Sequence, residues 1–478
     1  AQGHIRPLRA SAAPSLCFLR WQTNEATRRL QMRGMQRLAT ATAAAAAALL
    51  LSAAPCCSRS AGLSQRRSLW GETLESDESP LQAGALSVQL KLANHLGVQY
   101  VAPVSVGEQT LPAVYDTGSF EVMAVSLQCS ACQTDLKRYD NRSSATFMVG
   151  AHAAEDHAFA GGSITARLGF ETVRIGAANS PLKVEKMAFW QVLDTDMKVW
   201  TQKLATFSAI VGLGHSAIVP EAQKDAEDSL LERAGSRRFS LCLERGPANP
   251  GWLTINPPVD TSSAIFREVP VIGKTHWAVR LSGAAFEGTA AHCTGPGSCV
   301  AVVDSGTSMI GVPHSAVGMV RSISQKVKFD CSNLAELPDL VLHLAGKRFV
   351  MPPSAYVIQL AGSGSSSRGQ CVPAFMDFDL TTDRGEVWIL GMPFLRHFYT
   401  VFHRTSPPTL HIAEQGNNCT PSAGGSGNKS TFLNPHGLPN LSRPQQLAVP
   451  TVVDPGQAML PVWASKVKNV GGHRHIDI

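Results

Sequence analysis

The chain has 478 residues, of which 44% are hydrophobic and only 16% charged, which is a globular balance with more apolar material than one compact core needs. Its formal net charge is +6, but the arginines within residues 1–61 account for more than that excess. The remainder is close to neutral, which argues against a nucleic-acid or membrane-surface partner.

Residues 1–34 are rich in arginine and poor in acid, and read as a leader or an untranslated extension. Met35 opens a better start. Arg37, an apolar run over residues 38–51 and small residues through Ala54 give the layout of a secretory signal peptide over 35–57, too short to span a bilayer comfortably. An alanine-rich stretch without that role is the alternative. Residues 58–85 form a polar lead-in or prosegment, removable or disordered, with Arg66 and Arg67 followed by Glu72, Glu75, Asp77 and Glu78. From 86 to 413, short apolar runs (100–106, 168–175, 209–213, 300–304, 387–390) alternate with Gly, Pro, Asn and Asp, which predicts a mostly all-β protein. Helical spacing is expected only at 221–234. After Ala413 the sequence turns loop-like, and 414–478 is expected to be a flexible tail. No other segment is long and apolar enough to predict a membrane span.

Within the β region one design occurs twice. Ala113-Val114-Tyr115-Asp116-Thr117-Gly118-Ser119 matches Ala301-Val302-Val303-Asp304-Ser305-Gly306-Thr307. Each is followed downstream by an apolar-apolar-Gly segment, Ile210-Val211-Gly212 and Ile389-Leu390-Gly391. The duplication predicts two homologous lobes, 86–250 and 257–413, divided where Gly, Pro and Asn cluster.

An Asp-hydroxyl-Gly step after an apolar run has a chemical use. The run buries the backbone, the Gly permits a tight turn, and the Asp is presented at the lobe surface. Thr117 and Ser305 can bond across to the opposite loop; Ser119 and Thr307 can bond the outer carboxylate oxygens. Two such carboxyls near contact cannot both ionise easily, so they titrate as a pair. One such step alone is an ordinary turn; two in matching contexts predict Asp116 and Asp304 as a catalytic pair.

These segments resemble the pepsin-like aspartic protease family. The resemblance runs from Gln99 to Ala413 and includes FSAIVGLG (207–214), LPDLVLHLAG and MPPSAYVIQ (within 334–359) and WILGMPFLRHFYTVFHR (388–404). It implies a bilobal all-β fold with a few short helices, endopeptidase activity and an extended polypeptide substrate in the cleft. It also implies a flap hairpin at Phe159, Gly161, Gly162 and Ser163. Four positions depart from the family pattern. Phe159 stands for the usual flap Tyr and Met123 for the Trp that partners it, while Met392 and His403 replace aspartates.

Of the eleven cysteines, Cys17, Cys56 and Cys57 lie in the leader. The other eight are even in number, as expected of a secreted chain with disulfides, although spacing alone leaves the connectivity open. The resemblance implies Cys129–Cys132, Cys293–Cys299, Cys331–Cys371 and Cys242–Cys419, the last pair having free thiols as its alternative. Sequons at Asn141, Asn418, Asn428 and Asn440 permit glycosylation on the secretory route, to the outside or to a lysosome- or vacuole-like compartment. No metal or cofactor signature is present: there is no H-E-x-x-H and no G-x-S-x-G. A monomer is expected, because one chain holds both loops. The alternative to an active enzyme is a silent pepsin-like protein that holds peptide without cutting it.

Overall fold

The computed structural model describes residues 86–423, apart from 134, 151–152, 160, 203, 215–228, 247–248, 296, 298 and 361–369, together with strands at 451–453, 468–470 and 473–475. The leader, the signal-like run and the lead-in lie outside the described residues. So do residues 221–228 of the expected helical patch. Its described part is a single turn, Leu230–Arg233, whose Ser229 side chain accepts the Glu232 amide. Gly235 follows at φ +67°, a conformation that ends a helix.

Strands dominate, for two kinds of reason. Gly162–Ile175 alternates buried and half-exposed residues, the pattern of a sheet with one wet face. Cys299–Val303 is buried throughout, and Gln109–Asp116 is buried over its last four residues. The first leads into Asp304 and the second ends in Asp116; their buried stretches are covered on both faces, so they read as apolar runs.

Both runs sit in the same local topology. Gln109–Asp116 pairs antiparallel with Gln99–Val106 and parallel with Ala209–Gly212, so that Asp116 faces Gly212. Ala209–Gly212 in turn pairs antiparallel with Val122–Val125. In the second half Cys299–Val303 pairs antiparallel with Ala278–Phe286 and parallel with Gly385–Leu390, which pairs antiparallel with Ile310–Val312. The apolar-apolar-Gly segments are thus the parallel neighbours of the aspartate strands. Their glycines are required by space. A Cβ on Gly212 would lie 2.3 Å from the Phe120 carbonyl carbon, and one on Gly391 would lie 2.2 Å from the Met309 oxygen.

A shared sheet joins the halves in the order Arg267–Pro270, Thr409–Gln415, Phe398–His403, Arg238–Leu243, Gly251–Ile255 and Val88–His95. At its centre Phe239 and Phe402 are register partners, and their rings stack 4.6 Å apart. Trp277 closes on both rings edge-on. All three are fully buried.

Among the described residues four disulfides are formed: Cys129–Cys132, Cys293–Cys299, Cys331–Cys371 and Cys242–Cys419. The last ties the central strand Arg238–Leu243 to the chain just beyond Thr409–Gln415.

The tail differs from its sequence reading as loop after Ala413. The last long strand runs on to Gln415 and pairs with Pro421–Ser422. Thr451–Val453 adds in parallel to Val357–Leu360, and His473–His475 pairs with Thr381–Thr382. The Thr-Val-Val run is β-branched, and an open strand edge is a template for such a run. Among the described residues no helix is long and apolar enough to cross a membrane.

Candidate active site

The two aspartate loops meet face to face. The Thr117 amide donates to Ser305 Oγ and the Ser305 amide donates to Thr117 Oγ1, each over 2.9 Å. Each hydroxyl then donates onward across the interface, Thr117 Oγ1 to the Val303 carbonyl (2.8 Å) and Ser305 Oγ to the Tyr115 carbonyl (2.7 Å). Four hydrogen bonds thus join two loops that are remote in sequence, and all their side chains are buried.

Inside this cross the carboxyls are held by their own loops. The Gly118 amide donates to Asp116 Oδ1 (2.8 Å), and the Gly306 amide donates to Asp304 Oδ1 (2.7 Å). Thr307 Oγ1 donates to Asp304 Oδ2 at 2.6 Å; on the other side Ser119 is fully buried beside Asp116. The Asp116 carboxyl lies against the opposite loop so closely that a Cβ on Gly306 would sit 2.3 Å from its Oδ1. Gly306 is therefore required here by close approach. Burial raises the Asp116 pKa well above the usual carboxylate range. The charge of Asp304 and a side-chain hydrogen bond between the two carboxyls raise it further.

Further contacts fix the loops from behind. Trp277 Nε1 donates to the Leu213 carbonyl (2.8 Å), and Phe120 meets the His276 ring edge-on at 5.0 Å. The amides of Leu213 and Met392 donate to the carbonyls of Asp116 (2.7 Å) and Thr307 (2.8 Å). Met392 is fully buried and supports the Asp304 loop through its backbone.

Sequence reasoning missed Glu121, five residues after Asp116. Its Oε2 is buried with no hydrogen-bond partner among the described residues. Burial pushes this carboxyl up to about 7, only partly offset by the amides of Glu121 and Phe120. A carboxyl raised in the folded state gives stability that is present below its ordinary pKa and lost as pH rises through the folded value. Glu121→Gln should therefore raise the melting temperature at pH 8 and leave it unchanged at pH 4. Thermal unfolding at both values checks this, and an equal shift at both would contradict it.

The hairpin of Glu155–Phe159 with Gly162–Ile175 carries the sequence-expected flap residues. Phe159 is 5% exposed and Met123 fully buried. The ring contact made by the hairpin is a different one: His157 packs edge-on against Trp190, with centroids 4.3 Å apart. Trp190 is the register partner of Met123, one strand over. The histidine–cysteine cluster His292, Cys293 and Cys299 has the spacing of a metal site, but its two sulfurs are bonded to each other.

The family model described as eukaryotic aspartyl protease matches residues 99–415. Pepsin A of Bos taurus is 28% identical over 338 residues, covering 68% of this chain and 86% of that protein. Pepsin A of Sus scrofa is 28% identical over 340 residues (68% and 84%), and pepsin A of Rhinolophus ferrumequinum is 27% identical over 338 (68% and 83%).

Proposed function

Because the chain belongs to the eukaryotic aspartyl protease family and is an aspartic-type endopeptidase, we propose that Asp116 and Asp304 are its catalytic pair, hydrolysing peptide bonds through a shared proton. The carrying observation is the reciprocal Thr117–Ser305 cross, which holds the Asp116 carboxyl against Gly306. Paired carboxyls of this kind are the known chemistry of aspartic proteases.

One carboxyl is ionised and the other protonated. The ionised one takes a proton from a water as its oxygen attacks the scissile carbonyl carbon, and the protonated one gives its proton to the carbonyl oxygen. The tetrahedral diol then collapses. The C–N bond breaks, a hydroxyl proton returns to one carboxylate, and the other carboxyl protonates the leaving amine. The dyad ends as it began. The Gly118 and Gly306 amides hold one oxygen of each carboxyl, so the reacting oxygens need little reorganisation. An extended peptide is the substrate that fits, bound in the manner of strand addition under the hairpin of Phe159, Gly161, Gly162 and Ser163. The four disulfides and the signal-like run support a secretory route.

The experiment is digestion of a peptide library by the purified protein between pH 3 and 7, with and without pepstatin. Internal cleavage that pepstatin suppresses is the expected result. Peptide that is retained but uncut would instead support a silent binding protein.

A further inference from the structure

The flap hairpin is tied at two points to one structural arm, the strand Lys183–Thr195 and the residue after it. We propose that Trp190 and Asp196 are the residues that position the flap over the substrate. This rests on the reading of the hairpin as a flap.

The need for such ties follows from the topology. Glu155–Phe159 pairs only with Gly162–Ile175 among the described strands, and Lys183–Thr195 backs the returning strand only from Ile164 onward, so Phe159, Gly162 and Ser163 extend past that ladder. The two-stranded end beyond the ladder is marginal by itself. On its outer strand the His157 ring lies against Trp190, with planes at 68°. His157 Nε2 is buried and has no hydrogen-bond partner among the described residues, so packing on the indole is what holds this ring. Trp190 itself is 5% exposed and lies in register with Leu168 and Met123 on its two neighbours.

The returning strand is held by directional bonds. The Ser163 amide donates to Asp196 Oδ1. The Ser163 carbonyl accepts from Thr195 Oγ1 (2.8 Å) and from the Asp196 amide (3.2 Å). Gly162 makes room for this: it sits at φ +142°, and a Cβ there would lie 2.5 Å from Asp196 Oδ1. One tie is therefore a broad apolar contact and the other is a hydrogen-bonded clasp at the tip. Together they fix both the height and the direction of the hairpin. The indole that serves it comes from a strand away from the aspartate loop, and this accounts for a flap built without a Tyr–Trp pair at positions 159 and 123.

The test compares Asp196→Ala with Asp196→Asn, and Trp190→Ala with Trp190→Phe, in the full chain. The alanine variants should lose about tenfold in kcat/KM on an extended peptide, carried mainly by KM. Asn keeps the acceptor and Phe keeps a ring, so both conservative variants should stay near wild type. Amide hydrogen exchange at Gly161, Gly162 and Ser163 should accelerate in the alanine variants and remain unchanged elsewhere in the chain. Alanine variants within twofold of wild type overturn the proposal. So does Asp196→Asn as impaired as Asp196→Ala, or faster exchange spread across the whole half. If the wild type cleaves nothing, the protease reading fails, and the exchange measurement still decides whether these residues hold the hairpin.

Discussion

Asp116→Asn and Asp304→Asn should each lower kcat/KM by about three orders of magnitude or more, within what loss of general acid–base catalysis costs. The substitution keeps shape and removes the titrating group. The Gly118 amide that donates to Asp116 Oδ1 still finds a side-chain oxygen, so the loop keeps its form. Asp116→Asn should also differ in stability from what an inactivating mutation usually brings. Asp116 is fully buried and its pKa is raised, first by burial and then by the Asp304 charge. The folded state therefore holds the proton more tightly than the unfolded chain. That stability is complete below the ordinary aspartate value and is lost as pH rises through the folded value. At neutral pH the wild type bears the cost of crowding charge into a dry site. Asp116→Asn should accordingly melt at or above the wild-type temperature at pH 7, with no gain at pH 3. A peptide assay and thermal unfolding at both values decide it. Wild-type cleavage by either variant would remove the dyad assignment, and a stability gain confined to pH 3 would reverse the electrostatic argument.

Thr117→Val is expected to have the largest effect on stability. Valine matches threonine in shape, so the change removes one hydroxyl and creates no cavity. That hydroxyl accepts from the Ser305 amide and donates to the Val303 carbonyl. Its loss strands a buried N–H and a buried C=O, each at a cost of about 1–3 kcal/mol, so the variant should lose about 2–6 kcal/mol. Ser305→Ala strands the Thr117 amide and the Tyr115 carbonyl in the same way. The double variant should lose less than the sum, because the four bonds form one unit. Catalysis should fall as well, by about 10²-fold, since a carboxyl displaced by an ångström is out of line with its partner. Denaturant unfolding and kcat/KM on one peptide are the measurements. A loss below about 1 kcal/mol with unchanged kinetics would mean that the cross does not hold the pair.

Some of this molecule is written locally in its sequence. An apolar run buried on both faces, an aspartate, a hydroxyl residue and a glycine are all neighbours along the chain, and each does its work within a few residues. That is why the loops at Asp116 and Asp304, and the apolar-apolar-Gly segments behind them, could be read before any geometry was known. The glycines of those segments show in the repeat, but the need for them is tertiary: at Gly212 and Gly391 the backbone of another segment occupies the space a side chain would need. What could not be read depends on register between distant strands. Trp190 lies in a run that is equally strand-like in any register, and a slip of one residue would turn its ring to the other face. Only the pairing of Met123 with Trp190 and of Glu155–Phe159 with Gly162–Ile175 brings His157 onto the indole. Asp196 and Ser163 become partners only because the Gly162–Ile175 strand pairs with Lys183–Thr195. Glu121 is polar in sequence and buried in space because the loop after Asp116 folds back on Gly212. The Thr-Val-Val segment of the tail becomes a strand because Val357–Leu360 offers it an edge. Sequence determined the two aspartate loops and the backbone that presents them, since those depend on adjacent residues. Tertiary structure decided what the Glu155–Phe159 hairpin packs against and which carboxyls are dry, since those depend on which surfaces meet.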